Sequence, residues 1–215
     1  MTNQATSWHV SRIRQDLAAL MMPPLWALGA WESRAYGLWG ALSVSAVLLS
    51  AVVLALEGRA VIGNGRHARV WPIGIGAGLV MTGGTMALFG PATTAFPALL
   101  GDVSRLYEAF RGAGPVATVV LLPVIVICEE IVWRGAVQGA LARRMRWLPA
   151  AATGALIYAL AHAPIGSPAL VLTCLVAGFC WNALRGLTDS LPVAVIAHLV
   201  WDFAVLVVYQ LAPTA

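Results

Sequence analysis

Apolar runs separated by short polar gaps fill most of the chain, and their lengths set the expected fold. Six of them, at about 36–56, 71–90, 115–142, 148–164, 168–187 and 190–211, come close to the ~20 residues an α-helix needs to cross a bilayer. A seventh, at 17–31, is shorter and contains Pro23 and Pro24, so it reads equally as a kinked span, a re-entrant helix or an interfacial one. Elsewhere Val103, Leu106, Tyr107 and Phe110 alternate at helical spacing with Asp102, Arg105, Glu108 and Arg111. That stretch predicts an amphipathic helix lying along a membrane surface. The pattern as a whole predicts an all-α fold, a polytopic membrane helix bundle of six to seven transmembrane helices. No polar linker divides the runs, so the N-terminal membrane helices of 1–114 and the helices of 115–211 are expected to form one structural domain.

Composition strengthens this reading. Hydrophobic residues make up 60% of the 215 and charged residues 10%, where soluble domains carry about a quarter, and the mean hydropathy is +0.83. All basic charge behind the net +4 is arginine, since the sequence contains no lysine. Arg59, Arg66 and Arg69 share one gap, Arg143, Arg144 and Arg146 another, and Arg185 lies in a third. Alternating spans put these gaps on one side of the membrane, which the positive-inside rule makes cytoplasmic. If 17–31 crosses, the amino terminus with Arg12 and Arg14 joins that side. Charge spread over loops in this way describes topology and not a nucleic-acid surface. The polar first 16 residues give no sign of a cleavable signal peptide. Cys128, Cys174 and Cys180 lie in apolar runs without metal-ligand spacing and read as buried thiols. The tryptophans read as packing or interfacial anchors. An arginine-, alanine- and glycine-rich composition points to a bacterial cytoplasmic (inner) membrane.

Few polar residues interrupt the runs. Glu129, Glu130 and Arg134 fall within 115–142, Tyr158 and His162 within 148–164, and His198 and Asp202 within 190–211. An ionised group at bilayer depth costs roughly 2.5 to 3.5 kcal/mol on insertion scales, so the first cluster marks a site facing protein or water. Glu130 with Arg134, Tyr158 with His162, and His198 with Asp202 each stand at i and i+4 and share a helix face. At about 1.5 Å per residue from the cytoplasmic ends, Glu129 lies roughly 20 Å deep, His162 roughly 22 Å, Asp202 roughly 18 Å and His198 roughly 12 Å. All four can therefore meet in one layer. Glu130 and Arg134 are in the favourable order for an ion pair that supports the helix. Glu129 points about 100 degrees away and has no charged partner within a turn of its own helix, which suits a general base or acid. With His162 opposite, it can take a proton from water and pass it to a leaving amine, while His198 and Asp202 steady a developing oxyanion. Gly135, Ala136, Gly139 and Ala140, and further on Ala177 and Gly178, predict close helix packing beside the site.

The series Glu129-Glu130-x-x-x-Arg134, Tyr158-x-x-x-His162 and His198-x-x-x-Asp202 resembles the three motifs of the CPBP family, the CAAX-processing and bacteriocin-processing intramembrane endopeptidases. The resemblance covers roughly 115–211, and 1–114 carry no motif. It implies a glutamic-type protease buried in the bilayer, with Glu129 and His162 activating water, His198 and Asp202 lining an oxyanion pocket, and no metal or other cofactor. Glu130, Arg134 and Tyr158 would support that site. The implied partners are a membrane-anchored protein or peptide substrate and the lipid bilayer. Two positions depart from the family pattern. Tyr158 stands where Phe is usual, so its hydroxyl needs a partner such as a backbone carbonyl. Asp202 stands where Asn is frequent; it either donates in its protonated form or orients His198 as the donor.

The same residues fit other readings. Glu129, His162 and His198 could hold zinc from three helices and leave a fourth position for water. A non-enzymatic adaptor or proton-coupled transporter could use the cluster as a relay, but neither an inverted repeat nor a pair of broken helices is visible. Cys128, next to Glu129, lacks the electropositive setting of a catalytic thiol. A prenylated CaaX tail, a bacteriocin leader and a C-terminal sorting tail would all suit the site as substrates.

Overall fold

The computed structural model describes residues 2–63, 69–112 and 114–211; Arg66, expected in a cytoplasmic loop, lies outside them. In chain order the helices are α1 (Thr2–Tyr36), α2 (Leu38–Glu57), α3 (Val70–Ala95), α4 (Ala98–Arg111), α5 (Gly114–Glu130), α6 (Gln138–Ala142), α7 (Trp147–His162), α8 (Pro168–Thr188) and α9 (Leu191–Asp202). Between α5 and α6 the backbone widens into a π-helical segment, Ile131–Val137, and a second, Phe203–Val208, follows α9. Among the described residues, five stretches are long and apolar enough to cross a bilayer, Leu38–Glu57, Val70–Ala95, Trp147–Ile165, Pro168–Thr188 and Leu191–Val208. The sixth expected span, 115–142, is not one regular helix but α5, the π segment and α6 in succession. Leu20, Val80, Leu88 and Val116 are each at least two-thirds exposed, a surface suited to lipid rather than water. The protein is an integral membrane protein built as a helical bundle.

The ambiguous run 17–31 belongs to α1, with both prolines inside the helix. Near one end Asp16 accepts from Arg143 and Arg144, just before α7, at 2.9 and 2.5 Å. Near the other, Arg34 lies against Gly166, just past α7. Helix α1 therefore runs alongside α7 from one end to the other, burying Ala18, Met22, Trp26 and Ala30 as a four-residue-spaced stripe. The arginine-bearing gaps gather at the Asp16 end. Gly63 bridges to Ser190, and Gly186 packs on Trp147.

The amphipathic stretch forms α4, but Asp102, expected on its polar face, is buried. Its Oδ2 accepts from Ser167 Oγ at 2.8 Å and from the Ala169 amide at 2.7 Å. The first turn of α8 has amides without helical partners, and Asp102 meets one of them while Ser167 Oγ accepts from Leu170 N. Tyr107 donates to the Val205 carbonyl at 2.7 Å, and Trp39 Nε1 to that of Phe110 at 2.5 Å. Helix α4 is thus pinned across one end of the bundle.

The core centres on Trp26, Trp133, Tyr158 and Trp181, with alanines between them. Small residues make these contacts possible, as expected. A Cβ on Gly135 would stand 2.3 Å from Val61, and one on Gly178 would stand 2.8 Å from the Tyr158 ring. Gly139 has no such close neighbour.

Candidate active site

Both π segments begin directly after acidic residues of the motifs, Glu130 and Asp202. Such widened turns are frequent at functional sites. Here the first holds Glu130 and Arg134 in an ion pair at 3.0 Å, with both side chains wholly buried.

Two connected groups of side chains follow. In the first, Glu129 Oε1 lies 3.3 Å from His162 Nε2 and accepts from the Tyr158 hydroxyl, also at 3.3 Å. The Tyr158 hydroxyl thus meets Glu129 and not the backbone carbonyl suggested by its sequence setting, because Tyr158 sits one turn from His162 on the face that α7 turns to α5. His162 Nδ1 lies 2.8 Å from the Tyr158 carbonyl oxygen. A carbonyl can only accept, so Nδ1 carries a proton, and Nε2 is the lone-pair nitrogen of the neutral ring. Trp26 Nε1 donates to that Nε2 at 3.0 Å.

In the second group, Glu130 Oε1 faces Arg134 and also accepts from His198 Nδ1 at 2.8 Å. The expected ion pair is present, and Glu130 has a further contact that its own helix could not reveal. His198 Nε2 stands 3.5 Å from Asp202 Oδ2. The face shared by His198 and Asp202 is as expected, but Glu130, not Asp202, makes the close contact to the ring. Trp181 stacks on His198 at 3.6 Å and 21°. The Arg134 guanidinium lies 4.5 Å from the Tyr158 ring centre and 5.1 Å from that of Trp181.

Glu129, Tyr158, His162, His198 and Asp202 all line one cavity of about 230 Å³, whose other walls include Leu38, Trp39, Phe89, Phe110 and Leu122. Glu130 and Arg134 do not reach it. The volume admits several waters at ~30 Å³ each. Cys174 is buried and lies on the same wall, whereas Cys128 and Cys180 are only half-buried, contrary to the reading of all three as buried thiols.

The histidine nitrogens of the zinc alternative have protein neighbours. His162 has Nδ1 on a carbonyl and Nε2 on Trp26, and His198 Nδ1 is on Glu130. Among the described residues, no three His, Cys, Asp or Glu side chains are arranged to hold a metal ion. Trp26 and Trp181 are the site neighbours that the motifs did not single out. The four-residue stripe through Trp26 is the signal that could have placed it inward.

The fold is a polytopic helical bundle with acidic and histidine side chains gathered at an interior cavity. Residues 112–204 match the family model described as Type II CAAX prenyl endopeptidase Rce1-like, so the segment holding all three motifs is Rce1-like. That agrees with the resemblance carried by the motifs and supports an intramembrane endopeptidase in general. No curated protein and no solved structure matches the chain.

Proposed function

We propose that the protein hydrolyses a peptide bond of a membrane-anchored protein or peptide with a water activated by Glu129 and His162, without a metal. The observation that carries this reading is Glu129 Oε1 at 3.3 Å from His162 Nε2, on the wall of an apolar cavity that also reaches His198 and Asp202. A water in the cavity beside the pair gives a proton to Glu129 as its oxygen bonds to the scissile carbonyl carbon, and the carbonyl electron pair moves onto oxygen. His198, doubly protonated with Nδ1–H on Glu130 and Nε2 beside Asp202, donates its Nε2–H as a hydrogen bond to that oxyanion. When the C–N bond breaks, the proton passes from Glu129 through His162 Nε2 to the leaving amine.

The apolar walls favour a substrate segment delivered from the bilayer. The matched family's description points to a prenylated C-terminal tail; a bacteriocin leader or a sorting tail suits the same walls. The arginine-bearing end is assigned to the cytoplasm of a bacterial inner membrane.

The test uses purified protein in nanodiscs with internally quenched peptides of the three classes, one bearing a farnesylated cysteine. Glu129→Ala and His162→Ala should each lower cleavage by about 10² to 10⁴ with unchanged thermal unfolding, and exhaustive chelation should leave the wild-type rate unaltered. Full activity of Glu129→Ala ends the proposal, and activity lost to chelator and restored by zinc ends its metal-free form.

A further inference from the structure

Trp26 lies in α1, outside the matched segment, and the reaction just described makes no use of it. Its side chain is wholly buried. The indole N–H donates to His162 Nε2 at 3.0 Å, its ring centre is 5.5 Å from the imidazole, and Trp133 packs edge-on against it at 5.6 Å. The other ring nitrogen of His162 is held by the Tyr158 carbonyl at 2.8 Å. A neutral imidazole has one N–H and one lone pair. Both are engaged here, so the ring can neither turn nor exchange tautomer without breaking a hydrogen bond.

The geometry points to Trp26 as a positioning residue for His162, an inference that rests on the reading of His162 as part of the proton path. Its N–H fixes the ring with Nε2 toward Glu129. It also occupies the lone pair that must receive the proton. Once Nε2 is protonated, the indole N–H faces another N–H, and in a low-dielectric interior that unpaired arrangement is costly. The protonated ring is thereby made short-lived and transfer to the leaving amine is favoured. In this way α1 takes part in the site although it carries no motif.

The decisive perturbation is site-specific incorporation of 3-benzothienylalanine at position 26, which replaces the indole N–H by sulfur at nearly the same shape; Trp26→Phe is the coarser companion. Two measurements follow. In ¹⁵N-histidine spectra, with His162 assigned by its loss in His162→Gln, wild type should show a protonated Nδ1 and a hydrogen-bonded, unprotonated Nε2. The analogue should move Nε2 to the position of an unbonded ring nitrogen. On the farnesylated quenched peptide, or whichever of the three peptides is cleaved, the analogue should lower kcat about tenfold with KM within about twofold, the scale of one lost hydrogen bond. An Nε2 signal that ignores the analogue overturns the inference. So does an unchanged kcat in the analogue while Trp26→Phe only lowers the melting temperature. A wild type that cleaves none of the peptides counts against the protease reading, and the spectra then decide by themselves whether Trp26 holds His162.

Discussion

Glu130→Gln removes one charge from a pair that has no solvent to fall back on. Glu130 and Arg134 are 3.0 Å apart and neither side chain is exposed. Breaking a buried ion pair by losing one partner costs about 3 to 5 kcal/mol, because the other charge is stranded. Arg134 keeps some compensation, with NH2 at 3.4 Å from the Gly178 carbonyl and the faces of Tyr158 and Trp181 beneath it. The glutamine also keeps an oxygen for His198. These contacts place the loss at the lower end, about 3 kcal/mol. In a chain of this size each kcal/mol moves Tm by about 2 to 4 °C, so thermal unfolding in micelles should fall by about 6 to 12 °C. Arg134→Met strands Glu130 instead and should cost at least as much, since Glu130 Oε2 already lacks a partner. The double variant removes both charges at similar volume and should recover most of the stability, because apolar replacement of a whole buried pair is close to neutral. A Glu130→Gln melting temperature within about 2 °C of wild type refutes the reasoning. So does additivity of the two single changes, which would mean that the charges do not interact.

His198→Ala should lower kcat by about 10² to 10³ with little change in KM, as loss of a donor that acts mainly in the transition state does. Asp202→Asn should lower kcat as well if the carboxylate orients His198, and retained or improved activity would show that Asp202 works as a protonated donor. Arg143 and then Arg144, hydrogen-bonded to Asp16, hold its carboxyl below the ordinary aspartate value against the opposing effect of burial. A depressed folded-state pKa means that this link stabilises above the unfolded value and fades as pH falls through the lower, folded one. Asp16→Asn should therefore lower Tm at pH 7, and the difference from wild type should begin to shrink below the range of ordinary aspartate, about 3.9, and vanish only below the lowered folded-state pKa; a difference that stays constant across that descent contradicts the pairing.

The convergence of the candidate site residues was legible because charge in an apolar run is expensive enough for position alone to carry information. Rise per residue is nearly constant in helices, so depths counted along separate spans could be compared, and Glu129, His162, His198 and Asp202 do line one cavity. Partners across helices leave no comparable trace. Trp26 is 136 residues from His162, and Glu130 is 68 from His198. An indole in an apolar run satisfies the hydrophobic pattern whether or not its N–H is used, so the pattern is silent about the donor. Asp102 shows the converse error. Its helical period grouped it with Arg105, to which Oδ1 does pair at 3.1 Å, yet Oδ2 serves Ser167 and Ala169 at the start of another helix, whose need for acceptors outweighed exposure. The π segments escaped for a different reason, since one extra residue in a turn shifts the register by less than a short apolar run can resolve. That shift matters most at Arg134. It must reach Glu130 on its own helix, the Gly178 carbonyl and two aromatic faces at once, and the widened turn is where the backbone meets all of those demands.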